Sequence, residues 1–284
     1  NINVQWDVTD DAMLYVNWAN GYKAGGFDED NSLGREYVEE YGRDLSLFED
    51  EEVDSWEIGA KMTLAEGRGR MNVAYFQSDY EDVQVSAFDG TGGFIVGNAA
   101  ETEVEGVEAD IEFALTESLV VNAAAAWLDA KYKSFADAAC TEPQVLEHQA
   151  ETGARRGCFQ DLSGEPLEFA PEYTFYIGAR YDTSLTDSLD LGFGLDYLWS
   201  DDVAIANDLD PHLIQESYDK WNARVSLGAS DGSWLVSLIG KNLGDEKTFT
   251  WGNDVPLAAL GFSETYFRHI DPPSTWELVA RYNF

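Results

Sequence analysis

The chain has 284 residues, a formal charge of −37 at pH 7 and 13% aromatic residues, among them nine Trp, 14 Tyr and 15 Phe. That supply of apolar surface argues against a disordered, solvating chain, and an acid excess of this size argues against nucleic-acid binding, which needs a Lys/Arg surplus to neutralise phosphates. No segment approaches 18 consecutive apolar residues, so no transmembrane helix is expected, although a membrane-spanning strand needs only about 10 alternating residues.

In chain order the dominant signal is alternation, with the two-residue period of strands. Ile2, Val4, Trp6 and Val8 interleave with Asn and Asp residues and predict a strand over 1–8, followed by another over 13–22. Trp56, Ile58, Ala60, Met62 and Leu64 alternate with Glu57, Lys61 and Thr63 in a strand over 53–64. Strands over 70–86, 94–115 and 119–135 follow, the second carrying Val107, Ala109, Ile111 and Phe113 against Glu108, Asp110 and Glu112. The pattern then predicts strands over 169–182, 189–204, 218–229, 233–242 and 274–284, the last with Trp276, Leu278, Ala280, Tyr282 and Phe284 in step. Opening on a strand pattern implies sequence upstream.

The connectors alternate in length. Thr9–Ala12, Ala65–Gly69, Thr116–Ser118, Thr183–Ser188 and Ser230–Gly232 are short and rich in Asp, Gly and Ser, as tight hairpins require. Between them lie 23–52, 87–93, 136–168, 205–217 and 243–273. Short turns on one rim and long loops on the other describe an antiparallel transmembrane β-barrel. A soluble sandwich, propeller or solenoid would alternate too, but its strands average five or six residues. Trp6, Tyr22, Tyr80, Trp127, Tyr173, Trp199, Trp221, Trp276 and Tyr282 recur near strand ends, where interfacial aromatic girdles sit. Eleven antiparallel strands cannot close without a parallel seam, so an incomplete barrel is expected, with a closed twelve-stranded barrel as the alternative.

Chemistry-bearing residues are sparse. Cys140 and Cys158 lack metal-ligand spacing and read as one local disulfide in an oxidising compartment or as two unpaired thiols. His148, His212 and His269 are far apart, all in long loops, and no nucleophile elbow, zinc-helix or phosphate-loop motif is present, so no enzyme and no metal-ligand set are expected. Loop 23–52 is dense in carboxylates, among them Asp28, Glu29, Asp30, Glu49, Asp50, Glu51 and Glu52. It reads as a solvated acidic face or as a place for calcium, a hard cation that takes carboxylate oxygens. Phe27, Tyr37, Trp251, Tyr266, Arg268 and His269 are candidate ligand contacts by loop position and chemistry, with ordinary loop packing as the other reading of each.

Several stretches together resemble the C-terminal half of the β-barrel of TonB-dependent outer-membrane receptors of the iron-complex (ferric siderophore) branch. They are YVNWANGYKAGGF over 15–27, WEIGAKMTL over 56–64, NVAYFQSDYEDVQV over 72–85 and VGNAAETEVEGVEAD over 96–110. DLSGEPLEFAP over 161–171, GKNLGDEK over 240–247 and the terminal ARYNF complete the set. The resemblance implies about 11 strands of a presumed 22-stranded barrel, residues 1–284 being its C-terminal part, with the N-terminal plug, the energy-coupling box and the first strands missing. It further implies outer-membrane lipid around the strands, a TonB complex energising uptake through the absent N-terminal region, and Tyr282 and Phe284 as a signal for the barrel-assembly machinery. The implied cargo is a ferric siderophore or similar chelate, carbohydrate or cobalamin being carried by related receptors. A passive porin or an adhesion barrel is the remaining alternative.

Overall fold

The computed structural model describes residues 1–27, 47–88, 94–155, 157–255 and 265–284. Alternating runs become strands because the pleat sends branched and aromatic side chains to one face and polar ones to the other. Eleven strands form a single sheet in up-and-down order, each antiparallel to the next. They are Ile2–Thr9, Ala12–Lys23, Glu51–Leu64, Gly69–Phe88, Phe94–Ala114 and Leu119–Ser134. Tyr173–Thr186, Leu189–Ser200, Tyr218–Ala229, Trp234–Lys241 and Thr275–Tyr282 complete the sheet. Among the described residues the first and last strands each have one neighbour, so the sheet is not closed on itself.

Two boundaries depart from the alternation. The strand expected over 169–182 runs Tyr173–Thr186. Its expected start is lost because Phe169 adopts φ 60° and its amide bonds Ala204 O instead of a sheet neighbour. At the other end Thr183 and Ser184 pair with Leu191 and Asp190, which carries the strand into what reads as a turn. The strand expected over 189–204 stops at Ser200, and Val203–Ala204 pairs separately with Ile214–Gln215.

The register lines up one apolar face across all eleven strands. One row runs Val4, Val16, Ile58, Tyr75, Val107 and Trp127 to Tyr173. Another, staggered towards the short turns, runs Phe113, Val121, Ala179, Leu195, Ala223 and Gly240 to Trp276. Among the described residues nothing covers this face: Val4 is 61% exposed, Ile58 54% and Leu278 72%. A patch of this size would force a water-soluble protein to aggregate, whereas lipid is the solvent that suits it. Aromatic rings band the face, with Trp18 against Trp56 at 6.2 Å and Tyr197 against Trp221 at 4.5 Å. Tyr80 does not join the band. It pairs with Val53 and Thr102 on the opposite face, because its position in the strand has the parity of Phe76 and Ser78.

The opposite face is polar and hydrogen-bonded within itself. Arg224 donates to Ser226 and Ser237 at 2.8 and 3.0 Å, and Tyr176 donates to Asp196 at 2.6 Å. Gly59 lies beneath the Tyr15 ring, where an added Cβ would come within 2.5 Å.

Towards the long loops the apolar rows give way to charge on the same face. Asn20 bonds Asp54 at 3.2 Å, Tyr75 donates to Glu105 at 2.8 Å, and Lys133 pairs with Asp79 at 2.9 Å and Glu103 at 3.7 Å. The strands therefore project past the apolar belt into water. The described parts of the long connections stacked on them carry secondary structure of their own. Residues 136–168 hold a two-stranded ribbon, Ala138–Ala139 with Phe159–Gln160, and a helix, Glu142–Thr152. Pro at the start of that helix, a capping box at Thr141 and left-handed Gly153 at its end account for its limits. A 3-10 turn, Pro211–Leu213, follows Asp210. The all-β expectation thus gains a helix and a 3-10 turn, both at this rim.

Candidate functional site at the long-loop rim

The rim is built on a polar anchor. The Lys220 ammonium reaches from the polar face of the sheet to Thr248 Oγ1 at 2.6 Å and Asp271 at 2.8 Å, and Thr248 donates to the same carboxylate at 2.6 Å. This holds the two ends of a ribbon, Phe249–Asp254 paired with Tyr266–Ile270. Trp251 lies opposite His269, and Asp254 opposite Tyr266. The ribbon interlocks with Val203–Ala204 and Ile214–Gln215, since Gly252 N donates to Ile205 O at 2.9 Å and Phe249 N to the Gln215 side chain at 2.7 Å. Gly is required at 252 by close approach, because a Cβ there would stand 2.9 Å from Leu213 Cδ2.

Pleating gives the ribbon two unlike faces. One packs down: Phe249 and Tyr266 cover the buried cluster of Ile205, Ala206 and Leu213. Tyr266 also stacks on His212 at 5.1 Å, while the Arg268 guanidinium sits 4.9 Å over the Phe249 ring and donates to His212 O. The other face is open. Trp251, 45% exposed, meets Phe267 edge-on at 4.9 Å, and Thr250 bonds His269 at 3.1 Å.

A second buried cluster, Ala100, Tyr132, Phe135, Ala138 and Leu162, secures residues 136–168 to the strands beneath. Tyr132 donates to Glu168 at 2.7 Å, and burial together with the Glu168 charge pushes its phenol far above its ordinary range. Cys140 and Cys158 are joined by a disulfide. Arg155 donates to the buried Glu142 carboxylate at 2.9 and 3.2 Å.

The sequence-derived candidates therefore separate. Trp251, Tyr266, Arg268 and His269 share one ribbon: Trp251 and His269 lie on its open face, Tyr266 packs down, and Arg268 reaches His212 O while staying exposed. Phe27 is 76% exposed on a different ribbon, Gly26–Phe27 with Leu47–Phe48. Tyr37, like most of the acidic loop 23–52, lies outside the described residues. Phe267 and His212 belong to the assembly and escape the sequence reading, because only the ribbon pairing tells which side each residue takes.

A family model described as "TonB dependent receptor-like, beta-barrel" matches residues 1–243. Among solved structures, the chain resembles the ferric yersiniabactin uptake receptor FyuA of Yersinia pestis at 16% identity, with a TM-score of 0.72 over 99% of this chain and 36% of that one. The siderophore receptor PiuA of Acinetobacter baumannii matches at 16% identity and TM-score 0.68, over 98% of this chain and 34% of that one. The pyoverdine outer-membrane receptor FpvA of Pseudomonas aeruginosa matches at 16% identity and TM-score 0.61, over 99% and 35%. The chain thus spans about a third of the length of the solved structures it matches.

Proposed function

The chain belongs to the TonB-dependent receptor β-barrel family, whose members lie in the bacterial outer membrane, and from that premise we propose that it serves active uptake of a metal chelate of the ferric siderophore class. In this reading the eleven strands are the C-terminal part of a larger barrel around a plug, and an inner-membrane TonB complex supplies the energy. The observation that carries the reading is the open face of the rim ribbon. Trp251, Phe267 and His269 offer aromatic surface and an imidazole at the long-loop side, which suits a bulky, partly apolar ligand.

Charge narrows the cargo. A net −37 repels strongly anionic complexes. Arg268, the one cation among the contact candidates, is engaged with Phe249 and His212 O. A neutral or cationic chelate fits better than an anionic one.

The test is labelled-iron uptake under iron starvation in a strain lacking the intact gene. Loss of uptake for one chelate, restored by the wild type and reduced several-fold by Trp251→Ala at unchanged surface level, is the expected result. Normal uptake of every siderophore with a defect on a carbohydrate or cobalamin would reassign the cargo. Uptake that persists after the proton-motive force is dissipated would favour a passive porin. The reading also gives Tyr282 and Phe284, whose rings meet at 5.1 Å at the short-turn rim, to recognition by the barrel-assembly machinery. Deletion of Phe284 is expected to lower surface levels, and unchanged levels would remove that role.

A further inference from the structure

Between the rim ribbon and the start of the helix, three carboxylates converge. One oxygen each from Asp208, Asp210 and Asp254 lies within 4.8 Å of the others. Asp210 is fully buried and Asp208 is 5% exposed. Each of the three is steered by fixed donors. Asp210 Oδ1 accepts from His212 N at 2.7 Å and faces His212 Nδ1 at 3.0 Å, Asp254 Oδ2 accepts from Glu142 N at 2.9 Å, and Asp208 Oδ1 accepts from Asp210 N at 3.2 Å.

Two oxygens are left over. Among the described residues, Asp210 Oδ2 and Asp254 Oδ1 are buried with no donor group to meet them, the Asp208 carboxylate lying against Asp254. A buried, unpartnered carboxylate oxygen costs several kcal/mol unless something positive or protonated meets it. We infer that Asp208, Asp210 and Asp254 form a calcium site that ties the helix start, the 208–212 turn and the rim ribbon together.

The donor chemistry selects the ion. The three side chains offer oxygen alone, and carboxylate oxygens from three separate backbone positions suit the flexible coordination of calcium better than the strict octahedron of magnesium. Left-handed Leu209, at φ 53°, turns the chain so that Asp208 and Asp210 face one point. The inference is independent of the cargo, so a wrong chelate assignment leaves it standing and its failure leaves the transport reading intact.

The test uses the intact purified protein in detergent, stripped with EGTA and titrated with calcium by equilibrium dialysis. Wild type is compared with Asp210→Asn and Asp254→Asn. The expected result is one fewer bound calcium per molecule in each variant, and a calcium-dependent rise in thermal midpoint seen in the wild type alone. In calcium-free buffer Asp254→Asn should melt no lower than the wild type, because one buried charge has gone, which separates loss of binding from failure to fold. Equal calcium stoichiometry in all three proteins, or none bound by the wild type at millimolar calcium, overturns the inference. Displacement of calcium by equimolar magnesium overturns the choice of ion.

Discussion

The sheet and the rim bury apolar surface in opposite senses. In the sheet, Val16, Ile58, Ile177 and Leu238 point away from the protein, and the face turned inward carries hydrogen-bonded Ser, Arg, Tyr and Asp. At the rim, Tyr132, Phe135, Leu162, Ile205 and Leu213 are packed inside in two clusters, as in a water-soluble domain. The changeover falls within single strands: Trp127 is in the apolar row, and Lys131 and Lys133 are ion-paired in water a few residues on. One chain therefore meets two solvents, and the same hydrophobic effect turns it inside out between them.

The comparison breaks most severely if a charge enters the lipid-facing rows. Ile58→Arg, in the row between Val16 and Tyr75, is expected to cost about 2–4 kcal/mol near the bilayer midplane and to deplete the folded, heat-modifiable form from the outer membrane. A normal level of folded protein would mean that this face does not meet lipid.

A rim substitution should act on the rim alone. Leu213, fully buried beneath Phe249 and Tyr266, is expected to lose about 2–5 kcal/mol of local stability as Leu213→Ala. Limited proteolysis should then cut the connections 205–217 and 243–273 faster while the sheet stays heat-modifiable. Loss of the whole barrel signal would show that the two regions fold as one unit.

Removing the disulfide should be milder. Cys140→Ser with Cys158→Ser releases a loop closed across a separation of 18 residues, worth about 3 kcal/mol in the chain-entropy model, with the Leu162 and Tyr132 packing still in place. Faster nicking within 141–157, reproduced in the wild type by reductant, is the expected sign. Nicking rates unaffected by either treatment would show that packing alone holds the loop.

The two regions also differ in how much of them can be read from sequence. Alternation in segments such as 53–64 and 218–229 places the strands and their faces because a residue's side of the sheet depends only on its parity along the strand. It fails at Tyr80, whose aromatic ring suggests a girdle that its parity denies, and at Thr183 and Ser184, whose turn-like chemistry yields to pairing with Leu191 and Asp190. The rim has no such local rule. Which side of the ribbon Tyr266, Arg268 and His269 take follows only from the pairing with Phe249–Asp254, and Asp254 meets Asp208 and Asp210 only through the interlocked ribbons.

The central claim, that the apolar face meets lipid and the polar face does not, is tested most directly by spin labels placed one at a time along Glu51–Leu64 in the reconstituted protein, where the bonded Cys140 and Cys158 do not react. Collision with lipid-soluble oxygen should be high at 56, 58, 60 and 62 and low at 55, 57, 59 and 61, a strict period of two. Uniform accessibility, or alternation in the opposite phase, would contradict the account.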